Sequence, residues 1–155
     1  MSDGSFSERA REAIYAVTDG RCAGCLRTSP LTAQHRRARG RGGTSDASIG
    51  HPANGVPLCG SGTTLCHGWA EAHPTDAALL GWRLEAGDDP LKSPLYLRPY
   101  GWRRYEVDGR TLLHTYVDTL DLNRFNERRA ALARFLLTIN PPPVLAWPRS
   151  PKGNR

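Results

Sequence analysis

Four cysteines, arranged as two close pairs, leave few ways for this chain to fold. Cys22-Ala-Gly-Cys25 forms one pair, and Cys59 with Cys66 forms the other after a long intervening stretch. Pairs of this kind at the ends of short loops assemble tetrahedral four-cysteine zinc sites. Gly24 and Gly60 beside them let the backbone turn around a metal. Two disulfides, or a redox Cys-x-x-Cys, use the same residues. Disulfides call for an oxidising compartment, and a redox motif calls for a βαβ context that the pattern lacks. The expectation is a structural Zn2+ held by Cys22, Cys25, Cys59 and Cys66, because four thiolates leave no open position for a substrate.

At 155 residues the chain can bury a core of its own. It carries a formal net charge of +6, and of its 21 basic residues only Lys92 and Lys152 are lysines. Arginine forks phosphate in two-point contacts, so the balance suits an anionic partner, nucleic acid first. No apolar run approaches the roughly 20 residues of a membrane span. The polar stretch Met1 to Glu8 holds no apolar signal core, so the expected location is the cytoplasm.

The fold class expected is α+β. Residues 5–18 read as a helix, with Phe6, Ala10, Ile14 and Val17 at helical spacing and Ser5 or Ser7 as cap. Short strands are expected at 31–35 and 55–58, with a polar, Gly-rich loop over 36–53 between them. A helix at 66–72 stops at Pro74, and Thr75 caps a second over 76–80. Strand patterns follow at 82–84, 95–97 and 102–107, and Asp108-Gly109 joins the last to 111–117 as a hairpin. Residues 121–138 read as a helix, and Asn140-Pro141-Pro142-Pro143 ends it. The division expected is a main domain over 1–105, a hairpin-and-helix extension over 106–140, and a flexible Pro-rich tail over 141–155.

Between the cysteine pairs lie Gln34-His35-Arg36-Arg37-Ala38-Arg39-Gly40-Arg41-Gly42-Gly43 and Asn54, followed by Leu58-Cys59-Gly60 and Cys66-His67-Gly68-Trp69. The four arginines alternate with small residues, a composition suited to close approach of backbone and guanidinium groups to phosphates. Arg36, Arg37, Arg39 and Arg41 are therefore candidate nucleic-acid contacts. Taken in order, and joined by His73-Pro74 and Gly81-Trp82, these blocks resemble the HNH endonucleases, the ββα-metal or His-Me finger family, and within it small phage and prophage proteins. The resemblance covers roughly residues 20–105.

That resemblance implies a ββα-metal core pinned by the four-cysteine zinc, with flanking helices and a C-terminal hairpin. It implies a metal-dependent DNA endonuclease in which His35 takes a proton from the attacking water. One catalytic divalent cation, Mg2+, Mn2+, Ni2+ or similar, would be held by Gln34 and His67. Asn54 would shape the loop that orients His35 or join the metal shell. Gln34 departs from the His or Asp usual in the family, and a neutral amide oxygen is a weak ligand. The alternative is a zinc-containing nucleic-acid-binding module without catalysis, or an interaction protein associated with phage packaging and terminase. His73 caps or ligates, and His51 and His114 are expected to be structural or exposed.

Overall fold

The computed structural model describes residues 4–40 and 44–139. Helix α1, Glu8–Ala16, starts where the Ser7 side chain accepts a hydrogen bond from the Ala10 backbone N–H at 3.1 Å. Its Ala10 and Ile14 lie one turn apart and are buried together with Phe6. Strands β1, Leu31–His35, and β2, Gly55–Cys59, pair antiparallel from Leu31 opposite Cys59 to His35 opposite Gly55. The connection between them carries two short 3-10 turns, Ala47–Gly50 and Pro52–Asn54. The chain then enters α2, Leu65–Ala72, and α3, Pro74–Leu79.

A second sheet follows, in which β3, Leu95–Leu97, β4, Gly101–Asp108, and β5, Thr111–Tyr116, are antiparallel neighbours in that order. Helix α4, Phe125–Ile139, returns to the body of the molecule. The architecture is thus mixed α+β, with a two-stranded and a three-stranded sheet and helices against them. Among the described residues, no helix is long and apolar enough to cross a membrane.

The main core is aromatic at its centre. Phe135 of α4 meets Trp69 of α2 and Trp82 edge-on, with ring centroids 4.8 and 5.0 Å apart. A Cβ placed on Gly24 would fall 2.7 Å from Phe135 Cζ and 3.1 Å from Cys66 Sγ, so only glycine lets the helix close on the cysteine turn. Leu122 and Phe135 share one buried cluster with Cys22, Cys59 and Cys66. The division expected between residues 105 and 106 falls inside β4, and the C-terminal helix closes the same core as the cysteines.

Three further differences from the sequence reading have local causes. Residues 82–84 form no strand; the Leu84 backbone instead meets Arg37 in an isolated bridge, its N–H donating to Arg36 O at 2.7 Å. Helix α3 begins at Pro74 itself, because proline fits a first helical position where no N–H is needed. Helix α4 begins at 125 and not 121, since Arg124 sits at φ +59°, outside helical geometry. The tail over 141–155 lies outside the described residues.

Candidate metal centre and catalytic cavity

The four cysteine sulfurs lie within 4.8 Å of one another, and all four residues are buried. Cys25 Sγ and Cys59 Sγ stand 3.4 Å apart and all four are free cysteines, so the disulfide reading does not hold. The Gly24 and Cys59 backbone N–H groups each donate to Cys22 Sγ at 3.3 Å, a bond that favours a thiolate. Burial pushes the Cys22 thiol up, while hydrogen bonding from Cys22 pulls Cys25 far down and Cys59 to about 7. Hydrogen bonding with Cys22 pushes Cys66 up. Four sulfurs this close cannot all ionise alone, and a cation among them removes the conflict. The donor set fits a metal ion, and zinc suits four thiolates.

Cys66 opens onto a second site through its neighbour. His67 lies on α2 and its Nδ1 is 2.8 Å from Thr32 Oγ1 on β1. The Thr32 hydroxyl donates to Leu58 O at 3.1 Å, so toward the imidazole it accepts, and Nδ1 carries the proton. The lone pair then sits on Nε2, 3.9 Å from Glu71 Oε1 one turn further along the helix. Burial lowers the His67 pKa, so at neutral pH this imidazole is uncharged. A lone pair and a carboxylate facing each other are two acceptors that suit a cation between them. Glu71 also pairs with Arg83 at 3.8 Å.

Strand alternation puts Gln34 on the same face of β1 as Thr32, and Gln34 is buried. Its Oε1 has no hydrogen-bond partner, an expensive state for a buried carbonyl oxygen and one that a cation or water relieves. Gln34, His35, His67 and Glu71 all line one cavity of about 780 Å³, with Arg11, Arg39 and Arg83 around it. His35 reaches it from the other face of β1, where its ring lies flat on Phe6 at 3.9 Å.

Asn54 is wholly buried, and its side chain clamps the loop after β1. Its Oδ1 accepts from Arg37 N at 2.7 Å, and its Nδ2 donates to Arg37 O at 3.1 Å and Ile49 O at 2.9 Å. The residue after His35 is anchored too, since Arg36 N donates to Asn54 O at 2.7 Å. Of the two roles considered for Asn54, these bonds match loop shaping.

The arginines divide. Arg36 is not available to phosphate: it is fully buried, its guanidinium donating to the carbonyls of Gly81, Ala53, Pro90 and Ser93. Arg37 is turned inward to Asp46 at 2.5 Å, Ser48 Oγ at 2.7 Å and Asp88 O at 3.3 Å. Arg39 is exposed at the cavity. Arg41 lies outside the described residues. His51 Nδ1 accepts from Ala53 N, His73 stacks on Trp69, and His114 packs on Tyr100.

Sequence reasoning missed Glu71, Arg11 and Arg83. The i, i+4 spacing of His67 and Glu71 was a usable signal, because it puts both on one helix face. Arg11 lies outside the motif in sequence and Arg83 directly follows its Gly81-Trp82, and both reach the cavity only through the fold. Compared with protein-family models, with curated proteins and with solved structures, the chain matches none.

Proposed function

We propose that this chain is a metal-dependent endonuclease of HNH type that hydrolyses DNA phosphodiesters, built on a ββα unit pinned by zinc. The observation that carries the reading is the buried, unpartnered Gln34 Oε1 lining one cavity with His67, Glu71 and His35. Gln34, His67 and Glu71 would hold one divalent cation, and Glu71 adds the negative charge that Gln34 lacks. A cation there supplies Lewis-acid charge for the scissile phosphate and leaving oxygen. His35 takes the proton of the attacking water. Arg11, Arg39 and Arg83 give the cavity positive walls for the phosphate backbone.

Plasmid cleavage across Mg2+, Mn2+, Ni2+ and Co2+ tests this reading. Cleavage is expected with at least one of these ions, and should be abolished by chelator and by His35→Ala. Glu71→Gln is expected to raise the metal concentration needed for half-maximal activity by ~10-fold or more. Gln34→Asp should lower it, because an anionic oxygen replaces a neutral one. No cleavage by the wild type with any ion, alongside retained DNA binding, would replace this reading with a binding module. One observation favours that second reading: Glu71 is shared with Arg83, which weakens the single carboxylate of the site.

A further inference from the structure

The outer strand of the three-stranded sheet carries a tyrosine that the core does not use. β5 has a sheet neighbour, β4, on one side only. Its last residue, Tyr116, is 63% exposed. The strand register sets Tyr116 opposite Arg103 of β4. The Arg103 guanidinium carbon lies 5.4 Å from the Tyr116 ring centroid and 5.8 Å from that of Tyr100. His114 shares a face of β5 with Tyr116 and packs on Tyr100 at 4.4 Å. One cation thus bridges two phenol rings, and an imidazole backs one of them.

The cluster is tied to the chain around it. Arg103 Nε donates to Tyr100 O at 3.0 Å, and Tyr100 OH donates to Asp19 Oδ2 at 2.8 Å. The second bond engages the Asp19 carboxylate, whereas among the described residues Arg103 forms no ion pair. Arg21 adds positive charge close enough to act on the Tyr100 phenol. Of the other exposed apolar residues in the hairpin, Leu113 points to the opposite face by alternation. Val107 stands about 13 Å along β4 from Arg103. Neither extends the Tyr116 ring into an apolar groove. What the surface offers is an exposed aromatic face with a guanidinium next to it. A duplex keeps its base faces inside the stack, whereas unpaired bases present theirs to aromatic rings and arginine planes.

We propose that Tyr116 and Arg103, with Tyr100 behind them, form a stacking platform for the unpaired bases of a single-stranded nucleic acid. Tyr116 takes a base and Arg103 takes the adjoining phosphate. None of these residues lines the catalytic cavity. The platform therefore goes beyond the endonuclease reading and stands without it.

The test measures binding by the full zinc-loaded chain, with no other divalent cation added. The probes are oligo(dA) and oligo(A) of about 12 nucleotides, with an abasic strand and a DNA duplex of the same length. The first two tell DNA from RNA. The abasic strand keeps the phosphates and removes the bases. Tyr116→Thr removes the ring and keeps a residue suited to a strand, and Tyr116→Phe keeps the ring.

The wild type is expected to bind a base-bearing single strand more tightly than the abasic one. Tyr116→Thr should weaken that binding ~10-fold, as for loss of one stacked base, and change abasic and duplex binding less than about twofold. Tyr116→Phe should bind like the wild type, and Arg103→Gln should weaken base-bearing and abasic strands alike. In the wild type, the bound strand should also move the Tyr116 ring-proton NMR signals upfield. Equal binding of base-bearing and abasic strands would overturn the proposal, as would equal losses for single strand and duplex in Tyr116→Thr. Unmoved Tyr116 signals at saturating strand would overturn it even if Tyr116→Thr failed to fold. Wild-type binding by Arg103→Gln would overturn the phosphate role. Self-association that Tyr116→Thr abolishes, with strand binding unchanged, would overturn the platform in favour of a contact with a second copy of the chain. Presence or absence of cleavage alters none of these outcomes.

Discussion

Arg36 shows how far a side chain's surroundings depend on distant sequence. It stands in a run of arginines that reads as a phosphate-facing loop, yet it is fully buried. Its fork meets Gly81 O at 2.7 Å, Pro90 O at 2.8 Å and Ser93 O at 2.9 Å, and it lies 5.5 Å above the Tyr105 ring. Burial lowers its pKa to about 10, so it stays charged at neutral pH. Nothing within the arginine run announces these three carbonyls, which wait 45 or more positions later. Arg36→Ala would leave those carbonyls without donors, a loss expected to be ~3–5 kcal/mol. Arg36→Lys is expected to recover less than half of it, since a single ammonium cannot span the same fork. Denaturant unfolding checks both. A loss below about 1 kcal/mol for Arg36→Ala would show that these bonds do not anchor the loop behind His35.

The elements themselves were more legible than their surroundings. The strands read at 31–35 and 55–58 are present, the second extended to Cys59, and Asp108-Gly109 marks the β4–β5 hairpin. Element starts were harder, because Pro74 can either stop one helix or open the next, and the φ of +59° at Arg124 is a backbone state that its residue type does not announce. The β4–β5 hairpin also carries a pH response. His114 of β5 packs on Tyr100 at 4.4 Å, and burial, then Arg103, lowers its pKa. The unfolded chain takes up this proton first, near its ordinary pKa of about 6.5, so stability is present above that pH and declines as pH falls below it. Each such group contributes a slope of up to about 1.4 kcal/mol per pH unit. His67 is lowered too and adds to the wild-type slope. His114→Phe is therefore expected to flatten, but not abolish, the decline between about pH 6.5 and 5 in thermal melts. An unchanged slope would show that His114 titrates alike in both states.

Across the molecule, the C-terminal helix and the cysteine site form one unit. The sequence pattern located the four cysteines and the helix but could not place one upon the other. That contact depends on Gly24 leaving room for Phe135, a residue-sized gap that no periodicity reports. Phe135→Ala is expected to cost ~3–5 kcal/mol, lowering the melting temperature and speeding metal release to a competing chelator. Truncation after Asp118 removes Leu122, Ala131 and Phe135 from the core and should prevent cooperative folding even with zinc present. If Phe135→Ala melts early but yields its metal no faster, the helix supports the core without supporting the site. Removing a metal held by the four cysteines should unfold the cysteine turns and carry His67 away with Cys66, so the melting temperature should fall on adding chelator.

The contact between Gly24 and Phe135 also has a consequence in time. A ribosome delivers Cys25 about 110 residues ahead of Phe135. At about 5–20 residues per second, the interval is roughly 6–20 s. During it the sulfurs lack the aromatic cover that later shields them, and a nascent chain is a soft, multidentate trap for metal before it is a folded protein. Capture of zinc at that stage would precede the closing of the core, and the arrival of α4 would lock in whichever ion had come first.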